Sequence, residues 1–191
     1  MGVVVEDGCV NSVISFNKFL NVPDINKVYG VSNGMESIQL GQKGLAGTTS
    51  VFSNYFENII GDRSEIISVK SSNNEIFSNT FINSSGGVTL RLGKSNKISS
   101  NSFYSTTNSI RVFGEGHSII DNYIEDAIYG IQLPAGDTDI NQSNSAGYLV
   151  AKKILIKNNT IVRSRKNAIL MGNGHSKSRK YLPTEVLVAK K

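Results

Sequence analysis

Tryptophan is absent from this chain of 191 residues, which also has only one cysteine, two histidines and three prolines. The single cysteine, Cys9, excludes an internal disulfide framework and a cysteine-based zinc site. No apolar run approaches the ~20 residues that a membrane-spanning helix needs, so no membrane span is expected. The first ten residues are acidic and lack a basic region, so no secretory signal is expected there.

Helix-forming residues are also few. Alanine and leucine occur 7 and 11 times, whereas isoleucine and asparagine occur 21 times each. This excess of β-branched and turn-forming residues predicts a nearly all-β chain. The net charge of +5 is compatible with binding to an anionic polysaccharide or to nucleic acid, or with no acidic partner. Nucleic acid is disfavoured because basic residues are not interleaved with aromatic ones.

One five-residue pattern recurs: an apolar or small residue, any residue, Asn, any residue, then Phe or Ile. Its asparagines are separated by 37, 25, 22, 21 and 37 residues. The shorter spacings are typical of one coil of a parallel β-solenoid, in which coils stack about 4.8 Å apart. The two longer gaps predict inserted segments, the second near 134–150. The asparagines are Asn17, Asn54, Asn79, Asn101, Asn122 and Asn159.

A second pattern, one polar residue between two apolar ones, repeats in phase with the first. It predicts strands with one face in the core and an outward row of polar side chains. Residues 66–70 supply the strand between the first two members of this row. We therefore predict a single domain over 1–191, a parallel β-helix of about seven to eight coils, either complete or part of a longer solenoid. The predicted outward row is Gln39, Arg91, Arg111 and Gln132.

Three cationic residues follow the coil spacing. Lys70, Arg91 and Arg111 are 21 and 20 residues apart, so they are predicted to stack on neighbouring strands. Adjacent guanidinium groups disfavour the ammonium form of a lysine, and a neutral amine is a competent general base. An arginine can hold a substrate carboxylate and stabilise developing negative charge. These residues favour abstraction of the proton next to a uronate carboxylate, followed by β-elimination of the glycosidic bond.

Other catalytic classes have weaker support. His117 and His175 have neither metal-ligand spacing nor a serine partner, so ordinary structural roles are favoured for both. No motif marks the paired carboxylates of a glycoside hydrolase, and no phosphate-binding glycine loop is present.

Several blocks of the sequence resemble the chondroitinase B and alginate lyase family, polysaccharide lyase family six. They are residues 33–38, 64–73, 79–81, 90–93 and 110–117. Their order and spacing are more specific than any one motif, and the resemblance is firm over 33–126. It implies a right-handed, single-stranded parallel β-helix and an extracellular or periplasmic lyase. The implied substrate is a uronate-containing polysaccharide, alginate first and dermatan or chondroitin sulfate second.

The resemblance also assigns roles by position. Lys70 matches the family's general base, and Arg91 matches the catalytic arginine, which acts as the acid or supports the leaving group. The residue after that arginine is commonly histidine and is Leu92 here. The candidate substrate contacts are Arg111, Arg63, Gln39 and His117.

The family binds a calcium ion that neutralises the uronate carboxylate. Asn54 and Glu65 match two of its ligands, but the remaining glutamate falls at Arg63, which cannot ligate a cation. Ca²⁺ is therefore a doubtful cofactor. Either the Arg63 guanidinium replaces calcium and binds the carboxylate itself, or the metal site has decayed together with the lyase activity.

A second hypothesis is a non-catalytic β-helix that binds an anionic glycan or serves as a structural part. Arg63, Leu92 and a chain shorter than that of usual family members favour it. Lys70 and Arg91 argue against it, because a binding module has no need of a base and its neighbouring arginine. In both hypotheses the partner is an anionic polysaccharide, and the sequence indicates no oligomeric state.

Overall fold

A computed structural model describes residues 2–30, 34–61, 65–138 and 147–190. The chain winds into stacked coils that contribute strands to three parallel sheets, here called sheets I, II and III. The described residues form seven coils, the last of which has strands in sheets I and II. The predicted parallel β-helix is confirmed. Within the described ranges, no helix is long and apolar enough to cross a membrane.

Each full coil runs through sheets I, II and III in that order. The first three coils contain β1 (Val3–Val5), β2 (Val13–Ser15), β3 (Lys18–Leu20), α1 (Ile25–Tyr29), β4 (Ile38–Leu40), β5 (Ser50–Phe52), β6 (Tyr55–Glu57), β7 (Glu65–Val69), β8 (Glu75–Phe77) and β9 (Thr80–Ile82). The remaining coils contain β10 (Gly87–Leu90), β11 (Lys97–Ser99), β12 (Ser102–Tyr104), β13 (Asn108–Val112), β14 (Ser118–Ile120), β15 (Tyr123–Glu125), β16 (Tyr129–Leu133), β17 (Lys152–Lys157), β18 (Thr160–Val162), β19 (Asn167–Met171) and β20 (Thr184–Ala189).

The core is filled by columns of identical or similar side chains. In sheet III, Phe56, Phe81 and Phe103 are fully buried, and successive ring centroids lie 4.7 Å apart in stacked geometry. This distance equals the spacing of hydrogen-bonded strands, so each ring lies against its counterpart in the next coil. Buried isoleucines and valines form the corresponding columns in sheets I and II. The apolar positions of the repeats thus stabilise the stack by burial.

The predicted asparagine ladder lies at the bend between sheets II and III. The Asn79 amide donates to Asn101 Oδ1 at 3.0 Å, and Asn101 donates to Asn122 Oδ1 at 3.0 Å. The residue before each ladder asparagine has a positive φ, for example 55° at Ser100, which turns the chain between the sheets. The ladder amides also bind carbonyls that these bends would leave unpaired.

A second ladder lies at the bend between sheets I and II. Asn74 donates to Asn96 Oδ1 at 2.9 Å, and His117 takes the next place. The His117 Nδ1 accepts from the Asn96 backbone N–H at 3.0 Å, so Nε2 carries the proton and donates to the Phe113 carbonyl at 2.9 Å. His117 is 1% exposed. The prediction that it contacts substrate is wrong, because both ring nitrogens are used inside the fold.

Two insertions interrupt the regular coils, as the longer gaps predict. The first joins β3 to β4 and contains α1, a helix that the composition gave no reason to expect. Asp24 caps this helix by accepting the Asn26 N–H at 3.1 Å, and Gly30 ends it with φ 68°. The second insertion joins β16 to β17 near 134–150, and its part at 139–146 lies outside the described residues.

The outward row of sheet I differs from the predicted one. Arg91 is not a member, because it lies after the last residue of β10. Two overlapping triplets alternate in polarity here, Val88-Thr89-Leu90 and Leu90-Arg91-Leu92. The first of them forms the strand, with Val88 and Leu90 buried in the core. The observed row is Gln39, Ser68, Thr89, Arg111 and Gln132.

Candidate active site

Lys70 lies directly after β7, at the end of a strand of sheet I. Its backbone N–H donates to the Leu40 carbonyl at 2.7 Å, which continues the pairing with the preceding coil. The side-chain amine donates to Gln39 Oε1 at 2.8 Å and to Glu36 Oε1 at 3.4 Å. The Lys70 side chain is 13% exposed, so its amine is held near the surface without lying free in solvent.

Arg91 occupies the equivalent place one coil further on. Its backbone N–H donates to the Val69 carbonyl at 2.8 Å, and Leu90 pairs with Val69 in the sheet. Lys70 and Arg91 therefore start from backbones about 4.8 Å apart. Gly93 allows the turn that follows Arg91 to pack against the preceding coil. Its φ is 84°, and a Cβ there would lie 2.2 Å from the Ser71 carbonyl oxygen.

Glu65, the first residue of β7, is a buried carboxylate shared by two arginines. Its Oε2 lies 3.9 Å from Arg91 Nη1, and its Oε1 lies 4.0 Å from Arg111 Nη1. The Ser68 hydroxyl donates to Oε2 at 2.7 Å. Glu65 thus relieves the repulsion between the two guanidinium groups and ties their coils together.

An aromatic pair lies against the same arginines. Phe113 and Tyr148 pack with ring centroids 4.6 Å apart. The Arg91 guanidinium carbon lies 4.8 Å from the centre of the Tyr148 ring, and that of Arg111 lies 5.3 Å from the Phe113 ring. Such contacts attract a cation to the ring face and restrict its orientation. Tyr148 comes from the second insertion, which therefore takes part in the site.

Among the described residues, the charges of this cluster do not cancel. Three cationic side chains, Lys70, Arg91 and Arg111, accompany two buried carboxylates, Glu36 and Glu65. The prediction of a column of three stacked cations is right for the first two only, because Arg111 lies in the outward row. The excess positive charge attracts an anionic group to this face of sheet I.

The predicted calcium ligands are not brought together. Asn54 lies in the buried ladder between sheets II and III, where its amide donates to Asn79 Oδ1 and to the Ile14 carbonyl. Its carbonyl oxygen accepts from Asn17. The assignment of Asn54 as a ligand is therefore wrong, since its amide and its carbonyl oxygen are both engaged in the ladder.

The other donors among the described residues do not make a calcium site either. Ca²⁺ takes 6 to 8 oxygen ligands, and no group of three or more acidic, histidine or cysteine side chains suited to a metal occurs within the described ranges. Glu65 is committed to two arginines and Ser68. Arg63, predicted as a substrate contact or calcium substitute, lies outside the described residues.

Several contacts of the site could not be read from the sequence motifs. Glu36 is adjacent to Lys70 only because one coil places residues 34 apart in sequence beside each other. Tyr148 reaches Arg91 from an insertion that matches no repeat. Gln39, predicted as a substrate contact, is 5% exposed and accepts the hydrogen bond of Lys70 instead.

The fold and this cluster define a parallel β-helix protein with a cationic site on sheet I. The sequence model of the Chondroitinase B family matches residues 13–190. The chain therefore belongs to the chondroitinase B family. A comparison with curated proteins found no match.

Solved structures show the same architecture. A mannuronic acid specific polysaccharide family 6 lyase from human gut microbiota is 30% identical, with TM-score 0.82 over 97% of this chain and 43% of that one. A PL6 alginate lyase in complex with a trisaccharide is 22% identical, with TM-score 0.79 over 96% and 46%, a likeness of fold. The PL6 alginate lyase AlyGC is 30% identical, with TM-score 0.75 over 92% and 24%. The chain spans less than half the length of these structures.

Proposed function

We propose that this chain carries the catalytic site of a polysaccharide lyase that cleaves uronate-containing polysaccharide by β-elimination. The observation that carries the proposal is the placement of Lys70 and Arg91 at equivalent positions of adjacent coils. Membership of the chondroitinase B family supports it. Alginate is the first substrate and dermatan or chondroitin sulfate the second, because the similar structures are named as mannuronate-specific or alginate lyases.

In the proposed reaction, the neutral amine of Lys70 removes the proton from the carbon that bears the uronate carboxylate. The electron pair of that C–H bond forms a carbon–carbon double bond to the neighbouring ring carbon. The bond from that carbon to the glycosidic oxygen breaks, and the oxygen leaves with the electron pair and takes a proton from water. Arg91 keeps its own proton and stabilises the developing negative charge, and Arg111 binds the uronate carboxylate.

Substitution of Lys70 tests this assignment. Lys70→Ala should abolish the increase in ultraviolet absorbance that an unsaturated uronate product gives, while far-ultraviolet circular dichroism stays unchanged. Lys97→Ala is the matched control, because Lys97 is an exposed lysine at the start of β11 in sheet II. Normal turnover by Lys70→Ala would overturn the assignment. A parallel series with EDTA and added calcium tests the cofactor separately.

The second candidate function is binding of an anionic glycan without cleavage. The contact of the Lys70 amine with the Glu36 carboxylate favours it, since that contact also suits a permanent ammonium group. Such a protein would bind alginate with salt-sensitive affinity and release no product. The extracellular or periplasmic location implied by the family resemblance stays a prediction.

A further inference from the structure

Glu36 is a buried carboxylate that the reaction as described above does not use. Its side chain is 1% exposed, and its Oε2 has no hydrogen-bond partner within the described part of the chain. Burying a carboxylate with half of its acceptors unpaired is costly. The ion pair with Lys70, at 3.4 Å, is the contact that the structure provides in compensation.

The two acceptors near the Lys70 amine fix the direction of its lone pair. A neutral primary amine has two N–H bonds and one lone pair. Gln39 Oε1 at 2.8 Å and Glu36 Oε1 at 3.4 Å are two acceptors on the preceding coil. When they take both N–H bonds, the lone pair is directed away from them, toward the partly exposed side of the amine.

We propose that Glu36 is a positioning residue for Lys70. This inference rests on the proposed lyase function. Glu36 orients the neutral amine so that its lone pair faces the substrate, and it stabilises the ammonium group that forms when Lys70 takes the proton. The carboxylate of a serine protease triad acts on its histidine in the same two ways.

The other charged side chains near Lys70 are directed toward partners other than its amine. On its own strand, Glu65 faces Arg91 and Arg111. On the following coil, Arg91 is directed to Glu65 and to the Tyr148 ring. On the preceding coil, Gln39 is neutral, so Glu36 is the carboxylate in contact with the amine among the described residues. Removal of its charge therefore acts on Lys70 more directly than on the arginines.

Glu36→Gln keeps the shape of the side chain and one carbonyl oxygen but removes the charge. We expect kcat at the optimum pH to fall by about tenfold to a hundredfold, with KM nearly unchanged. The acidic limb of the kcat/KM profile should move to lower pH, because the carboxylate no longer favours the ammonium form. Glu75→Gln, an exposed carboxylate at the start of β8, is the matched control.

The reverse change provides a second test. Gln39→Glu places a second carboxylate 2.8 Å from the amine, and it should move the acidic limb to higher pH. This variant decides the proposal if Glu36→Gln fails to fold. An unshifted limb in the folded variants, or an equal loss of kcat at every pH, would overturn the positioning role.

A titration of Lys70 that does not require turnover tests this inference separately from the proposed function. Protein labelled with ¹³C at the lysine ε-carbons allows the Lys70 signal to be titrated, with assignment by Lys70→Arg. Its midpoint should move to lower pH in Glu36→Gln. If the wild-type protein forms no unsaturated product, the proposed function fails, while a shifted midpoint still supports the coupling. An unchanged midpoint overturns the coupling whatever the activity.

Discussion

His117 takes a place in the interior that asparagine takes in the two preceding coils. Its imidazole is buried, and burial lowers its pKa to about 4, although the hydrogen bond to the Phe113 carbonyl opposes this change. The unfolded chain should titrate His117 near the ordinary value of 6.5. The folded protein therefore binds fewer protons than the unfolded chain between these two pH values, which makes its stability depend on pH.

We predict that the free energy of unfolding falls as the pH drops from about 6.5 to 4, by about 3 kcal/mol from this residue. His117→Asn should remove most of that pH dependence, since an amide in this place does not titrate. Urea unfolding at a series of pH values measures it. His175→Asn, at an exposed position, should keep the wild-type slope, and an identical slope in His117→Asn would contradict the assignment.

At the same scale, the sequence placed Lys70 and Arg91 correctly but misjudged the roles of several residues around them. Lys70 and Arg91 follow from their spacing and from the motifs around them. Glu36 lies in one of those motifs, but its contact with Lys70 could not be predicted, because that contact depends on how the first insertion is accommodated between β3 and β4. Asn54 was misassigned because the ladder motif and a ligand position cannot be distinguished by residue type.

At the scale of the element, the asparagine ladder joins bends of successive coils. Asn101 donates to the Ile76 and Ser99 carbonyls and to Asn122 Oδ1, and its own Oδ1 accepts two hydrogen bonds from Asn79. All of these groups are shielded from water or partly so. Loss of the amide therefore leaves several buried polar atoms without partners.

Asn101→Ala should lower the free energy of unfolding by about 3 to 5 kcal/mol, since each buried unsatisfied group costs about 1 to 3 kcal/mol. Denaturant unfolding measures the change. Asn167→Ala, at the exposed start of β19, should alter stability by less than about 0.5 kcal/mol. Equal stability of the two variants would show that the ladder contributes little.

The second insertion is the element that distinguishes this site from a bare sheet face. We predict that Tyr148→Ala lowers kcat/KM by about tenfold, because Arg91 loses the ring that restricts its guanidinium. Tyr148→Phe should retain most of the activity, since it keeps the ring. Tyr181→Ala, at an exposed tyrosine, is the control for steady-state kinetics. Full activity of Tyr148→Ala would rule out this role of the insertion.

At the scale of the whole molecule, the sequence predicts the solenoid well because each coil repeats the same physical requirements. Apolar positions and bend asparagines recur at the coil spacing, because every coil must fill the same core and make the same bends. The register of sheet I could not be predicted, since residues 88–92 satisfy two alternating patterns. Helix α1 was missed because an insertion is free of the repeat and depends on its own caps.

The stacked coils also explain how distant segments form one site. Glu36, Lys70, Arg91 and Arg111 come from four successive coils, and the parallel register brings them to one face of sheet I. The excess of cations on that face favours an anionic polymer lying across the coils.

The most direct test is the mass of the products released from alginate. We predict oligosaccharides whose new ends carry an unsaturated uronate, each one water molecule lighter than the corresponding hydrolysis product. Lys70→Ala should release none. Products of hydrolytic mass, or no products from folded wild-type protein with alginate and with dermatan sulfate, would contradict the account.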